Sequence, residues 1–530
     1  MVTPELRKFV VDSLALNKSI PAIKKELVSI GWNTKDISAA LKEAVTPLSA
    51  TPATVPATLA KTPRSLKHVV MYTLLMIIIL ALSAVTYYLW KTKVDLADTN
   101  SVKVREFYTE LAHAQISYND AGDIIFPDEQ KFLTQKETYM QQETSFIEAN
   151  LRTMEVTLYE HGVASTTLPI LTKGKEKSWW ETPTGNYKIL SRSVNQFSSI
   201  GHVWMPYSMQ FYGNYFIHGW PYYDDGTPVA STYSGGCIRL ATEDAKKVYD
   251  FGKVGTPILV LEEDLEHPLH TLTAKPTNAA IPTLSTQSFI VTDLTTGKVL
   301  LERDSHKALP IHALTKLMNG IVAHEVLYLG RTITVTHNVS ETDAALFSPA
   351  TGNEYTGLDL LYPLLMQSSY EPAKILAGPV GGKNFIQDMN AKASSLQMKD
   401  TTFVDVSGES PENIASAQDI ANLLQYTYFK RNFLFGITKG KISSTVGYIT
   451  LGDSIDIKGL KNENVFTAES DLVGVVQGEL TGETQTLATV WNITTNGKDV
   501  PVAIILLDSK NAEQDTKTLH TWVTENFVVE

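Results

Sequence analysis

The chain reads as a multidomain α+β protein: an amino-terminal helical module, a single transmembrane helix, a mostly β domain and a carboxy-terminal α/β domain. Three observations predict this. A length of 530 residues exceeds what one hydrophobic core organises. The 22 residues Val69–Trp90 carry no charge, enough to cross a hydrocarbon layer of about 30 Å. Apolar spacing is helical before that run and alternates like strands well after it, with Thr- and Pro-rich stretches between.

In residues 1–45, Leu6, Phe9, Val10 and Leu14, then Ile20, Ile23, Leu27 and Ile30, then Ile37 and Leu41 recur at helical intervals. Gly31 suits a helix stop and Asn33 the cap of the next helix, which predicts a small three-helix module. It either meets a cytoplasmic protein partner or is a local bundle with no client. Residues 46–67, rich in Thr, Pro and Ala, form a flexible tether. In the expected membrane span, 68–90, Tyr87, Tyr88 and Trp90 make an interfacial belt. That belt, and the depth of the run in the chain, argue against a cleaved signal peptide. Lys61, Arg64 and Lys67 precede the span and Lys91 and Lys93 follow it, a slight bias that leaves the amino terminus inside. Residues 91–153, with Val104, Phe107, Leu111, Phe132, Tyr139 and Phe146, read as a helical spacer.

A net charge of −12 argues against nucleic acid, whose phosphates want a basic face. The one cysteine, Cys237, has no internal disulfide partner. It lies in Ser234-Gly235-Gly236-Cys237-Ile238-Arg239, downstream of His218-Gly219. Small residues before a thiol let the backbone turn tightly and present N–H groups beside the sulfur, as a nucleophile with an oxyanion hole requires. A buried free cysteine used only for packing is the competing reading. His218 and Cys237 suit two strands joined by a loop over Trp220–Tyr233, which brings the side chains together. A neighbouring imidazolium is then expected to lower the thiol pKa.

Together these residues resemble the signature of YkuD-type L,D-transpeptidases. The resemblance extends from about Met154 to Leu261, through Thr182-Pro183-Thr184-Gly185, Met205-Pro206-Tyr207-Ser208-Met209, a helix around Asp244–Tyr249 and a closing strand at Val254–Val260. Many members have histidine where this chain has Gly235. The resemblance implies a catalytic domain at 154–263, with Cys237 as nucleophile and His218 as general acid and base. Gly236 and Cys237 would supply oxyanion N–H groups, Ser234 and Gly235 would shape the turn, and the Gly219 carbonyl would orient the histidine. Arg239 either binds a stem carboxylate or braces the loop. His267 and His270 fall in a Pro-containing linker, 264–285, and read as solvated, so no metal or other cofactor is expected.

In residues 286–530, Phe289–Leu301 alternates like a hairpin around a Thr-Gly turn. The run Leu309-Pro310-Ile311-His312-Ala313-Leu314-Thr315-Lys316 resembles the active-site helix of serine D-Ala-D-Ala carboxypeptidases, penicillin-binding relatives of β-lactamases. That family activates serine with a lysine one helical turn on, and here Ala313 takes the serine position while Lys316 remains. The second motif falls at Ser368-Ser369-Tyr370 and the third at Leu480-Thr481-Gly482, with Tyr370 and Leu480 replacing its amide and its cation. The domain is expected to be inactive.

The resemblances imply a membrane-anchored L,D-transpeptidase facing the cell wall, with peptidoglycan stem peptides as substrate and crosslinks as product. The inside amino terminus leans on that wall chemistry. The alternatives are stem trimming with water as acceptor, attachment of another protein, and a non-catalytic wall-binding scaffold.

Overall fold

In a computed structural model of the chain, the described residues are 10, 20, 23, 24, 27, 33–45 and 129–530, apart from 177, 179, 232, 263–269, 277–279, 337–346, 368, 444, 447, 448, 453, 479–483 and 496. The expected tether, the membrane span 68–90 and the spacer up to 128 lie outside them. Among the described residues no helix is long and apolar enough to cross a membrane. The chain divides into two compact units, Met1–Trp90 and Lys91–Glu530.

In the first unit, helix α1 (Thr34–Val45) begins where Asn33 Oδ1 accepts the Lys35 N–H at 2.8 Å, which satisfies one of the helix's open amides. Val10, Ile23, Leu27, Ile37, Ala40 and Leu41 form its buried cluster, while Ile20 is 41% exposed. The apolar spacing in the sequence therefore marks a packed helical core, with Ile20 outside it.

The second unit opens with helix α2 (Glu129–Gln141), followed by strands β1 (Phe146–Asn150), β2 (Glu155–Glu160), β3 (Val163–Pro169), β4 (Gly185–Lys188), β5 (Ser191–Ser198), β6 (Val203–Tyr212), β7 (Tyr215–Gly219) and β8 (Ile238–Leu240). Helix α3 (Thr242–Phe251) and strand β9 (Pro257–Leu261) complete this half. One sheet has the order β3-β2-β1-β9-β4 and the other β5-β6-β7-β8. Strand β9 is apolar along its length because it lies inside its sheet, parallel to β1 on one side and antiparallel to β4 on the other. Ile147, Val156, Met209, Phe211, Ile217, Ile238, Val248 and Ile258 share one core. Strand β1 corrects the sequence reading: Phe146 belongs to the sheet and not to a helical spacer, since all five β1 side chains are buried.

The remaining half is built on an antiparallel sheet in the order Val299–Arg303, Ser288–Asp293, Lys498–Ser509, Gln485–Thr495, Leu472–Gln477. The expected hairpin at Phe289–Leu301 forms its first pair. A helical layer, including α4 (Thr315–Val326) and α5 (Ala417–Lys430), supplies most of the largest apolar core. The expected linker is only in part a linker, because Leu272–Ala274 pairs antiparallel with the final strand, Phe527–Val529. His270 Nδ1 lies 3.2 Å from the Glu530 carbonyl, while His267 falls outside the described residues. The two halves are not loosely tethered: Lys430 and Arg431, at the end of α5, reach buried groups of the β domain.

Candidate active site

Strands β7 and β8 run parallel, pairing Ile217 with Ile238, His218 with Arg239 and Gly219 with Leu240. Ile217 and Ile238 are buried in the core, so alternation puts His218 together with Cys237 and Arg239 on the opposite face. The loop 220–237 is thus a crossover that returns the chain beside the histidine strand. Gly219 lets β7 pass close to α3: a Cβ there would lie 3.0 Å from both Pro206 Cγ and Thr242 Cα.

His218 is 2% exposed, and its Nδ1 lies 2.6 Å from the Gly219 carbonyl. A carbonyl only accepts, so Nδ1 carries the proton and Nε2 holds the free lone pair. Burial, reinforced by the Arg239 charge and opposed by the Gly219 bond, lowers its pKa to about 3. The imidazole is neutral at physiological pH. Burial also pushes the Cys237 thiol up, against the Phe216 N–H and the Arg239 charge, which favour thiolate. This corrects the expected imidazolium–thiolate pair: with both groups desolvated, the thiol and the imidazole are both neutral at rest. Cys237 is half-buried, and its Sγ donates to the Asn214 carbonyl at 3.8 Å.

The turn before the cysteine is fixed by Ser234, whose Oγ donates to the Cys237 carbonyl at 2.5 Å and accepts the Gly236 N–H at 3.0 Å. The Gly236 amide is therefore engaged, and the Cys237 N–H is the remaining backbone donor of the expected pair. Gly236 has φ +109°, and a Cβ there would lie 2.3 Å from Tyr215 Cε1. Gly235 has open space where its Cβ would be, so a larger side chain fits there. Arg239 Nη1 donates to the Tyr233 carbonyl at 3.2 Å, and its guanidinium lies 5.7 Å from the centre of the Trp220 ring. Both contacts are made to the loop 220–237.

Residues 144–260 match the YkuD family, described as an L,D-transpeptidase catalytic domain, and residues 275–511 match the peptidase S11 family, D-alanyl-D-alanine carboxypeptidase. The chain joins a YkuD domain to a peptidase S11 domain. Over 156 residues it is 36% identical to a D-alanyl-D-alanine endopeptidase of Pseudomonas aeruginosa, covering 28% of this chain and 50% of that protein. A D-alanyl-D-alanine endopeptidase of Escherichia coli is 35% identical over 156 residues, 29% of this chain and 50% of that one. The chain spans about half the length of these curated relatives. Among solved structures, penicillin binding protein 6B from Escherichia coli aligns with 47% of this chain and 80% of its own at 21% identity and a TM-score of 0.39. A D-alanyl-D-alanine carboxypeptidase from Mycobacterium tuberculosis aligns with 47% and 95% at 22% identity and 0.38.

In the S11 domain, Ala313 sits in the single 3-10 turn that leads into α4 and is buried. Lys316, 4% exposed, donates from Nζ to the Gln367 carbonyl at 3.0 Å, and the Tyr370 ring centre lies 5.0 Å away. The lysine thus points at a carbonyl and an aromatic face. Ser368 and Leu480 lie outside the described residues.

Sequence reasoning missed Asn214, whose carbonyl accepts the thiol. It also missed the buried ions between the halves, Lys173, Glu181, Glu262, Glu325, Lys392, Lys430 and Arg431. The Gly213-Asn214 pair carries a hairpin-turn signal, but nothing in its spacing points to the cysteine.

Proposed function

We propose that the protein is a membrane-anchored peptidoglycan L,D-transpeptidase whose chemistry resides in the YkuD domain. The placement of His218 and Cys237 on one face of adjacent parallel strands carries this reading. In the proposed step, Cys237 Sγ attacks the carbonyl carbon that links the third stem residue, a diamino acid, to the terminal D-alanine. The thiol proton passes to His218 Nε2 as the S–C bond forms, because the neutral thiol has no prior charge to use. The oxygen that gains negative charge is stabilised by the Cys237 N–H. Collapse breaks the C–N bond, His218 returns the proton to the departing D-alanine nitrogen, and a thioester remains. A side-chain amine of a second stem then attacks the thioester carbon, the C–S bond breaks, and the proton that the amine loses passes through His218 to the departing sulfur, which restores the thiol and gives a crosslink between third-position residues. Water in that place gives a trimmed tripeptide.

The charge-free run Val69–Trp90 supports a single-pass anchor, amino terminus inside and catalytic domain toward the wall. We further propose that the S11 domain has no peptidase activity of its own, since Ala313 supplies no nucleophile and Lys316 is engaged elsewhere.

The test is incubation with disaccharide tetrapeptide stems, followed by mass spectrometry of protein and products, with a Cys237→Ala control. The expected result is a Cys237-dependent acyl adduct with loss of D-alanine. Dimer formation supports crosslinking and tripeptide supports trimming. A folded protein with a reactive thiol that forms no adduct and releases no D-alanine would leave a wall-binding scaffold as the better reading.

A further inference from the structure

The thiol's surroundings are held from the S11 domain. Gly213 and Asn214 form the two-residue turn between β6 and β7, which is pressed against the carboxy-terminal end of α4. Asn214 N donates to the Glu325 carbonyl at 3.3 Å, and Asn214 Nδ2 donates to the Val326 carbonyl at 2.8 Å. The last carbonyls of a helix have no partner within it, so Asn214 caps α4 from the neighbouring domain. The carbonyl of the same residue accepts the Cys237 thiol. Space for a side chain on Gly213 is lacking, since a Cβ would lie 2.5 Å from the Glu325 carbonyl oxygen.

A second connection runs through Tyr215. Its ring lies against the backbone of Gly236, and its hydroxyl lies 3.4 Å from Arg431 Nη2. Arg431 is fully buried, paired to Glu325 at 2.8 Å, and donates from Nη1 to the Glu181 carbonyl at 3.2 Å. Glu325 also pairs with Lys392 at 2.9 Å. The two connections therefore meet at one residue: Glu325 anchors Arg431 by its side chain and the Asn214 turn by its carbonyl. Helix α4 begins just after Ala313 and ends at this point, about 18 Å along its axis at the usual rise per residue.

We infer that the S11 domain serves as a built-in platform for the cysteine site, with Asn214 and Tyr215 as positioning residues for Cys237, held by the end of α4 and by Arg431. The inference rests on the reading of Cys237 as nucleophile. It gives a domain that lacks a nucleophile a task that requires only its packing and its buried ions.

The test measures the rate of Cys237 alkylation by iodoacetamide against pH in the full chain and in Asn214→Ala, Tyr215→Phe, Arg431→Lys and Thr518→Ala. Alkylation reports Cys237 alone, because the chain has no other cysteine. Asn214→Ala and Arg431→Lys are expected to move the midpoint by about half a unit or the plateau rate by about threefold. On tetrapeptide stems they are expected to lower kcat for D-alanine release with KM unchanged. Thr518→Ala, half-buried on the helix Ala512–Asn526 and bonded only within it, is expected to change neither. Tyr215→Phe removes one oxygen, keeps the ring, and decides the matter if a larger change prevents folding. Alkylation profiles that match the parent in folded Asn214→Ala and Tyr215→Phe would overturn the inference. Shifted profiles in a protein that releases no D-alanine would uphold positioning and remove the transpeptidase reading.

Discussion

His218 is neutral because it is dry. Burial lowers its pKa to about 3, while the Gly219 carbonyl fixes which nitrogen is free. The same burial has a cost in acid. An unfolded histidine titrates near 6.5, so between that value and about 3 the unfolded chain binds the extra proton. His218 therefore contributes stability that is fully present above about pH 6.5 and is lost as the pH falls toward 3. From pH 7 to pH 5 the loss is about 2 kcal/mol at 1.36 kcal/mol per unit. In urea titrations at the two pH values, His218→Asn should lose less stability on acidification than the parent by about that amount. An equal loss in both proteins would mean that the imidazole is protonated when folded. At the second centre, Ala313 sets a separate expectation: intact-mass measurement after benzylpenicillin should show no acylation of the S11 domain, while the same measurement on a serine D-Ala-D-Ala carboxypeptidase shows the adduct. A penicilloyl adduct on this chain would contradict the proposed inactivity.

At the scale of elements, the site is a strand, a crossover and a turn, and the turn is the least tolerant part. Gly236→Ala would have to adopt φ +109° and place a methyl carbon 2.3 Å from the Tyr215 ring. Strain of this kind costs about 1–3 kcal/mol. The expected outcome is a lowered melting temperature and lost D-alanine release, whereas Gly235→Ala, with open space around it, should retain its stability. Equal behaviour of the two variants would contradict the packing of Tyr215 on the turn. Much of this was legible in the sequence. His218-Gly219 ends a strand, Cys237 precedes one, and the helix and closing strand after them form as Thr242–Phe251 and Pro257–Leu261. The charge state of the pair was not legible, because His218 and Cys237 read alike whether the site is wet or dry. Strand β1 was missed for a related reason: Phe146-Ile147-Glu148-Ala149-Asn150 contains a glutamate that looks solvated, yet Glu148 is buried and held by Lys136 at 2.9 Å. The Asn214 turn reads as an ordinary hairpin until α4, more than a hundred residues away in sequence, is seen to end against it.

At the scale of the whole second unit, the two enzyme-like halves are joined by buried ions as well as by apolar contact. Lys430 Nζ pairs with Glu181 at 2.6 Å and with Glu262, and Lys173 pairs with Glu262 at 2.9 Å. Burial raises Glu181, whereas the two ammonium groups overcome burial at Glu262 and hold it at about 2. Lys430 itself is raised by the two carboxylates despite its burial. Such a cluster adds little when complete, since desolvation offsets the Coulomb attraction, but it penalises the loss of one member. Lys430→Met leaves two buried carboxylates with Lys173 as the remaining ammonium of this cluster, and should cost about 3–5 kcal/mol. Glu262, with its lowered pKa, contributes stability present above the ordinary carboxylate range and lost as the pH falls through about 2. Lys430→Met should weaken that dependence and begin to unfold at higher pH than the parent. The shared cluster is expected to make the two halves unfold as one cooperative system. Urea unfolding followed by tryptophan fluorescence and by exposure of the Cys237 thiol should give coincident midpoints in the parent protein. A thiol that becomes fully reactive at lower urea than the main fluorescence change would mean that the YkuD domain opens alone, and that the buried ions do not bind the halves into a single folding unit.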